Sequence, residues 1–187
     1  MFRCCRSLSA CVFPSARRQP AHATVAASLP LTIEEAKANT DVHKFGLRLD
    51  GELCRIIKVY DGDSFTITWL DAASRKPMYA NSRLYGIDAP ELRSADHEEK
   101  VRAVNARDTV AQHFLGEVFS VTTCGPTGLD KYGRPLIVLR SVEGATGASA
   151  SNLLAPYDGD LGKWILGNVA GCYAYFGGTK RASPPSR

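Results

Sequence analysis

The chain has 187 residues, 44% of them hydrophobic, which suits one domain with a tail, and no apolar run approaches the roughly 20 residues that a membrane-spanning helix needs. Its formal charge of +4 invites a nucleic-acid reading, yet Arg3, Arg6, Arg17 and Arg18 all fall in the first 33 residues, which carry no acidic residue. The remainder is formally near neutral, so phosphate affinity has to come from local charge placement or a bound cation.

Residues 1–31 are rich in Arg, Ser and Ala and contain Pro14, Pro20 and Pro30. This composition fits a mitochondrial transit peptide. The stretch from Leu8 to Pro14 is too short and too broken to be the apolar region of a secretory signal, about 7–15 residues long. Residues 32–50 form an approach segment in which Thr32 can cap a short helix. Cys54 to Tyr60 reads as a strand. Ser64 to Leu70 alternates Phe65, Ile67 and Trp69 with Ser64, Thr66 and Thr68, the period of a half-buried strand. Asp61-Gly62 between the two runs signals a hairpin. That hairpin sets Asp63 at its mouth, with a carboxylate that can reach solvent.

Met78 to Ile87 is the third strand. Arg83 and Asp88 would fall on opposite faces of a regular strand, and Gly86 permits a kink that re-aims one of them. Pro90 ends the strand and holds Ala89 extended, which frees the Ala89 carbonyl from the ladder. Ser94 to Leu115 is the best helix, with Ser94 as cap and Asp96, Glu98 and Glu99 at its positive end. Val101, Val104, Ala111, Phe114 and Leu115 form its apolar stripe, and Gly116 closes it. His97 and His113 on this helix read as decoration.

Val118 to Thr123 and Leu136 to Val142 are the fourth and fifth strands. The loop between them carries Asp130-Lys131-Tyr132-Gly133-Arg134, and Gly133 allows a sharp turn that delivers Arg134 to the start of the fifth strand. Gly144 to Ser151 reads as a flexible surface insertion, Leu161 to Leu166 as a short helix, and Gly167 to Phe176 as a segment returning to the body. Residues 181–187 are a tail. Cys54, Cys124 and Cys172 are scattered with no Cys-x-x-Cys pair, which points to reduced thiols rather than a zinc site.

Three phrases carry chemistry: Asp61-Gly62-Asp63-Ser64, Arg83 to Glu91, and Asp130 to Arg134. Asp63 and Asp88, with the Ala89 carbonyl and water, would make an all-oxygen site suited to Ca²⁺ or Mg²⁺. Arg83 and Arg134 supply planar forks that match phosphate oxygens. Glu91 remains to prepare or position water. Cation, donors and base are what phosphodiester hydrolysis needs.

In this order the phrases resemble the thermonuclease (staphylococcal nuclease-like) family. The resemblance covers roughly Cys54 to Lys180 and defines a domain at 51–180. It implies an α+β, mainly β fold: a five-stranded OB-type barrel with one long and one or two short helices. It implies Ca²⁺ as cofactor, with Mg²⁺ the second choice. It also implies hydrolysis of DNA and RNA that leaves 3′-phosphate ends. Asp63, Arg83, Asp88, Glu91 and Arg134 match the family's metal, clamp and base positions. Lys131 and Tyr132 match its contacts to the neighbouring phosphate, and Tyr173 falls near its base-stacking tyrosine. Ser64 replaces the usual Thr, and Ala89 stands where the bacterial prototype has Thr, though only the backbone carbonyl is needed there.

The expectation is a monomeric, mitochondrially targeted, Ca²⁺-dependent nuclease of low sequence specificity. The alternative is a non-catalytic OB-fold module that binds single strands through a basic groove and aromatic side chains. Such a module predicts loss of one or more acidic or arginine positions, and all five are present. A barrel that binds a metal or small phosphate ligand without cleavage gives Glu91 no task.

Overall fold

A computed structural model of the protein describes residues 49–125 and 127–177, together with 32, 34, 43 and 44. The leader, the helix that Thr32 would cap and the tail at 181–187 lie outside the described residues. Strands β1 (His43–Lys44), β2 (Leu53–Asp61), β3 (Ser64–Leu70), β4 (Pro77–Leu84) and β5 (Ile87–Asp88) lead to helix α1 (His97–Phe114). Then come β6 (Val118–Thr123), β7 (Leu136–Ser141), α2 (Ala148–Leu154), a 3-10 turn (Ala155–Tyr157), α3 (Leu161–Asn168) and β8 (Tyr173–Ala174).

β2, β3 and β4 form an antiparallel meander; β6 pairs with β2, β7 pairs with β6, and β7 closes on β4 in parallel. The result is the expected five-stranded, mainly β barrel of OB type with one long and two short helices. β5 leaves the barrel and pairs with β8 in a two-stranded ribbon. Among the described residues no helix is long and apolar enough to cross a membrane.

The barrel interior is filled by Phe65, Ile67, Trp69, Ile56, Phe119 and Leu139, all essentially without solvent contact. Helix α1 closes one side of it with Ala103, Ala106, Val110 and Phe114, and Phe114 meets Trp164 of α3 edge to face at 4.8 Å. This inward face keeps Phe114 and, half-buried, Ala111 from the stripe the sequence suggests, but not the rest of it. Val101, Val104 and Leu115 are exposed, and the alanines are inside. The reason is close approach: a Cβ placed on Gly62 at the hairpin tip would lie 3.2 Å from the Ala106 Cβ. Only small side chains fit under the helix there.

Three further expectations are corrected. The cap of α1 is Asp96, whose carboxylate accepts from the Glu98 N–H, while the Ser94 hydroxyl donates to Glu99. Strand β3 is buried on both faces up to Trp69, because the barrel is covered outside as well as filled inside. The 144–151 stretch is tied down: buried Thr146 donates to the Val118 carbonyl and accepts from the Val142 N–H, and α2 begins at Ala148. Cys54, Cys124 and Cys172 are free thiols.

Candidate active site

Three strand ends meet at one mouth of the barrel. Ser64 opens β3 and pairs with Arg83 on β4, and Arg83 pairs in turn with Leu136 on β7. The Arg83 N–H donates to the Pro135 carbonyl at 2.9 Å. This register sets Arg83 beside the residue that follows Arg134, so two arginines distant in sequence share one seam.

The hairpin tip is pressed inward. A Cβ at Gly62 would lie 3.0 Å from the Ala89 Cβ as well as against Ala106, and the ladder shifts register between Val59 and Asp61. Such a bulge re-aims the side chain that follows. Asp63 is therefore 2% exposed and does not reach solvent as the sequence suggests. Its Oδ1 accepts from the Ser64 hydroxyl at 2.7 Å, and its Oδ2 accepts from the Ala89 N–H at 3.1 Å. Ala89 thus enters the site through its N–H to Asp63, and its side chain is buried.

Asp88 returns toward Arg83 because Gly86 turns the chain with φ +80° and β5 is then held by β8. Its Oδ1 lies 2.5 Å from Arg83 Nη2, and its Oδ2 accepts from the Tyr173 hydroxyl at 2.7 Å. The same Arg83 nitrogen is 2.6 Å from Asp63 Oδ2. The two carboxylates chosen as cation ligands do converge, and one guanidinium bridges them.

Arg134 is organised by its own loop. The Asp130 carboxylate accepts from the Tyr132 N–H at 2.8 Å, the Arg134 N–H at 2.9 Å and Arg134 Nε at 2.6 Å. Arg134 Nη1 reaches the Ser64 hydroxyl at 3.4 Å. A continuous chain thus runs from Arg83 through Asp63 and Ser64 to Arg134. Tyr132 is 72% exposed, with Lys131 Nζ 4.9 Å and the Arg134 guanidinium 5.6 Å from its ring centre.

A cleft of about 780 Å³ opens over this chain, lined among others by Arg83, Asp88, Glu91, Lys131, Tyr132 and Arg134. Glu91 is exposed on its wall. Asp63, Ala89 and Tyr173 do not line the cleft; they sit behind it, connected through Arg83 and Asp88.

Burial, then the Asp61 charge, pushes the Asp63 carboxyl up to about 7, against the opposing pull of Arg83. Arg83 is held above its ordinary value: burial acts against its charge, but Asp63 and Asp88 outweigh it. Burial, and then the charges of Asp63, Asp61 and Asp88, push the Cys172 thiol up to about 12. Among the described residues no group of three His, Cys, Asp or Glu side chains is arranged to hold a metal ion. The donor set fits a hard cation held by two carboxylates, with the remaining ligands from water or backbone oxygen. Such a cation would compete with Arg83 for the same two carboxylates.

Sequence reading assigns Asp130 and the Ser64 hydroxyl no role in the site, and assigns Tyr173 a different one. Asp130 is the brace of Arg134, and its signal was present in the Asp-x-Tyr-Gly turn chemistry. The Ser64 hydroxyl links the two halves of the site. Tyr173 holds Asp88 in place, a contact spanning 85 residues that no local pattern announces. No family model and no curated protein matches the chain.

Proposed function

We propose that the chain is a Ca²⁺-dependent nuclease that hydrolyses phosphodiester bonds of DNA, RNA or both with little sequence specificity. The observation that carries this reading is the convergence of Arg83, Arg134, Glu91 and the Asp63–Asp88 pair at one cleft, from three separate strand ends. A bound cation would neutralise charge on a phosphoryl oxygen. Asp63 and Asp88 are the residues that would hold it. Arg83 and Arg134 would donate to the remaining phosphate oxygens as negative charge gathers on them. Exposed Glu91 would take a proton from, or orient, the attacking water. Lys131 and Tyr132 would hold the neighbouring phosphate. Contacts confined to phosphate carry no sequence information, which accounts for low specificity. The 3′-phosphate product follows from the resemblance alone. The mitochondrial setting is proposed on the acid-free, Arg-rich leader, and a monomer is part of the same proposal.

The test uses the purified full chain with single-stranded DNA, duplex DNA and RNA, in Ca²⁺, Mg²⁺ or chelator, beside Arg83→Ala. Cleavage that requires Ca²⁺ and disappears in the variant is the expected result. Strands that bind but remain uncut with every cation would replace this reading with the non-catalytic OB-fold module.

A further inference from the structure

Beyond Arg134 the site continues into a second, smaller hollow. A recess of about 140 Å³ is lined by Tyr60, Asp61, Ser64, Asn81 and Arg134, among others. Of these, Arg134 also lines the main cleft and the other four do not, so Arg134 is the wall the two spaces share. Lys131 and Tyr132 line the cleft and not the recess. The strand ladder places the polar groups of the recess. Asn81 on β4 pairs with Thr66 on β3, and the Thr66 hydroxyl donates to Asn81 Oδ1 at 2.9 Å. Thr66 thus takes the amide oxygen, and the amide NH2 is the end left for a ligand. Asp61, whose Oδ1 lies 3.4 Å from the Asp63 N–H, brings an anionic acceptor to the same recess. Tyr60 is 48% exposed, with Lys58 Nζ 4.2 Å from its ring centre.

We infer that this recess is a ribose subsite, taking the sugar on the other side of the scissile phosphate from Lys131 and Tyr132, so that RNA is cut in preference to DNA. This rests on the nuclease reading of the adjoining cleft and chooses between its two substrates. A phosphodiester held on Arg134 has a sugar on each side. One lies over the cleft and the other meets the recess. Size favours a sugar there. A water claims about 30 Å³ of the liquid, so the recess has the volume of about five waters, which suits a pentose ring and is too little for a whole nucleoside. Charge disfavours a second phosphate, which Asp61 would repel. The Asn81 amide as donor and the Asp61 carboxylate as acceptor suit a hydroxyl, which accepts and donates at once. The 2′-hydroxyl is the group that RNA offers and DNA lacks.

The subsite is tested by cleavage with the full chain in Ca²⁺. Three labelled strands share one sequence: all deoxy, deoxy with a single ribonucleotide, and deoxy with a single 2′-fluoro nucleotide at the same position. Products are mapped linkage by linkage. A 2′-fluorine cannot donate to Asp61. The expected result is one linkage beside the ribonucleotide cut about tenfold faster than its deoxy and fluoro counterparts, the effect of about one hydrogen bond. Asn81→Ala should bring that rate down to the deoxy rate. Asn81→Asp keeps an acceptor for Thr66 and loses the donor, so it should do the same, and thermal melts verify that both variants fold. Equal cutting of ribo and deoxy linkages, or a margin that survives both variants, overturns the ribose subsite and leaves the nuclease reading standing. A 2′,3′-cyclic phosphate left at the ribonucleotide would make its hydroxyl the nucleophile and overturns the subsite as well. No Ca²⁺-dependent cut in any strand overturns the subsite and the nuclease reading together.

Discussion

Arg83 Nη2 lies 2.5 Å from Asp88 Oδ1, and the same nitrogen also meets Asp63. This guanidinium serves two carboxylates that are 2% and 3% exposed, charges too costly to leave buried without a partner. In the proposed mechanism the same guanidinium must face a phosphate. Asp63 and Asp88 would hold the proposed cation, which would supply their neutralisation and leave Arg83 to the substrate. Cation and phosphate affinity would thereby be linked through one side chain.

Replacing Arg83 separates the two tasks. Arg83→Ala strands the buried carboxylates, and the chelated protein should lose about 3 kcal/mol of stability. Ca²⁺ should restore much of that loss, so the Ca²⁺-induced rise in melting temperature should be larger in the variant than in the parent. Turnover should fall by about 10²–10³-fold even with Ca²⁺ present, as when one transition-state donor is removed. Arg83→Lys keeps a charge but not the fork, and should recover stability better than activity. Thermal melts with Ca²⁺ and with chelator, paired with turnover, read both effects. A melting temperature unchanged in chelator would show that the carboxylates do not depend on Arg83.

Asp63 gives the site a pH dependence. Burial raises its carboxyl from an ordinary value of 3.8 to about 7, so between these values the folded state holds a proton that the unfolded state has lost. The contribution of this group therefore favours folding below about pH 4, declines as pH rises, and is gone above about pH 7. The chelated protein should lose stability over that window, and Asp63→Asn should flatten the slope. Ca²⁺ prefers the ionised carboxylate, so its affinity should rise across the same window. Urea unfolding at stepped pH, in parent and variant, checks the sign.

The barrel was legible in the sequence because its strands carry period-two patterns and its turns carry Asp-Gly and Gly signals. The site was legible in its residue types, since strand ends are where fixed side chains meet solvent. Depth was not legible. Asp63 looked solvent-facing because hairpin mouths usually are, and only the Gly62–Ala89–Ala106 contact presses it inward. The face of α1 was legible at Ala111 and Phe114 but not at Val101, Val104 and Leu115, for the same reason. Hydrophobicity favours Val101 and Val104, whereas a close helix–barrel approach requires Ala103 and Ala106. The tie from Tyr173 to Asp88 depends on β5 pairing with β8, a long-range event without a local trace.

Asp130 should matter more to activity than to folding. Burial works against its charge, but hydrogen bonds from the Arg134 backbone, the Arg134 side chain and the Tyr132 backbone prevail and hold the carboxyl below its ordinary value. Its contribution is thus present at neutral pH and is lost as pH falls through the lowered value. Asp130→Ala frees Arg134 to sample positions away from Ser64. Turnover should drop roughly 10–100-fold, because small misplacements of a clamp are expensive. Stability should fall by only about 1–2 kcal/mol, since the loop is surface structure. Steady-state kinetics and a denaturant melt distinguish this from general unfolding, which would lower both together.

Glu91 is an exposed carboxylate of the constellation. It shares the cleft wall with Asp88, which is buried, while Asp63 lies behind. A water-activating group belongs in such a position, because it must exchange protons with solvent on every turnover. Glu91→Gln preserves shape and removes the basic oxygen. Turnover should fall by about 10²–10⁴-fold, with the Ca²⁺-induced rise in melting temperature unchanged. Asp63→Asn should instead lose both. The pair of variants therefore separates preparation of water from cation holding, using one kinetic and one thermal measurement. Full activity in Glu91→Gln would remove the base from the mechanism, and loss of the Ca²⁺ shift would place Glu91 among the cation ligands.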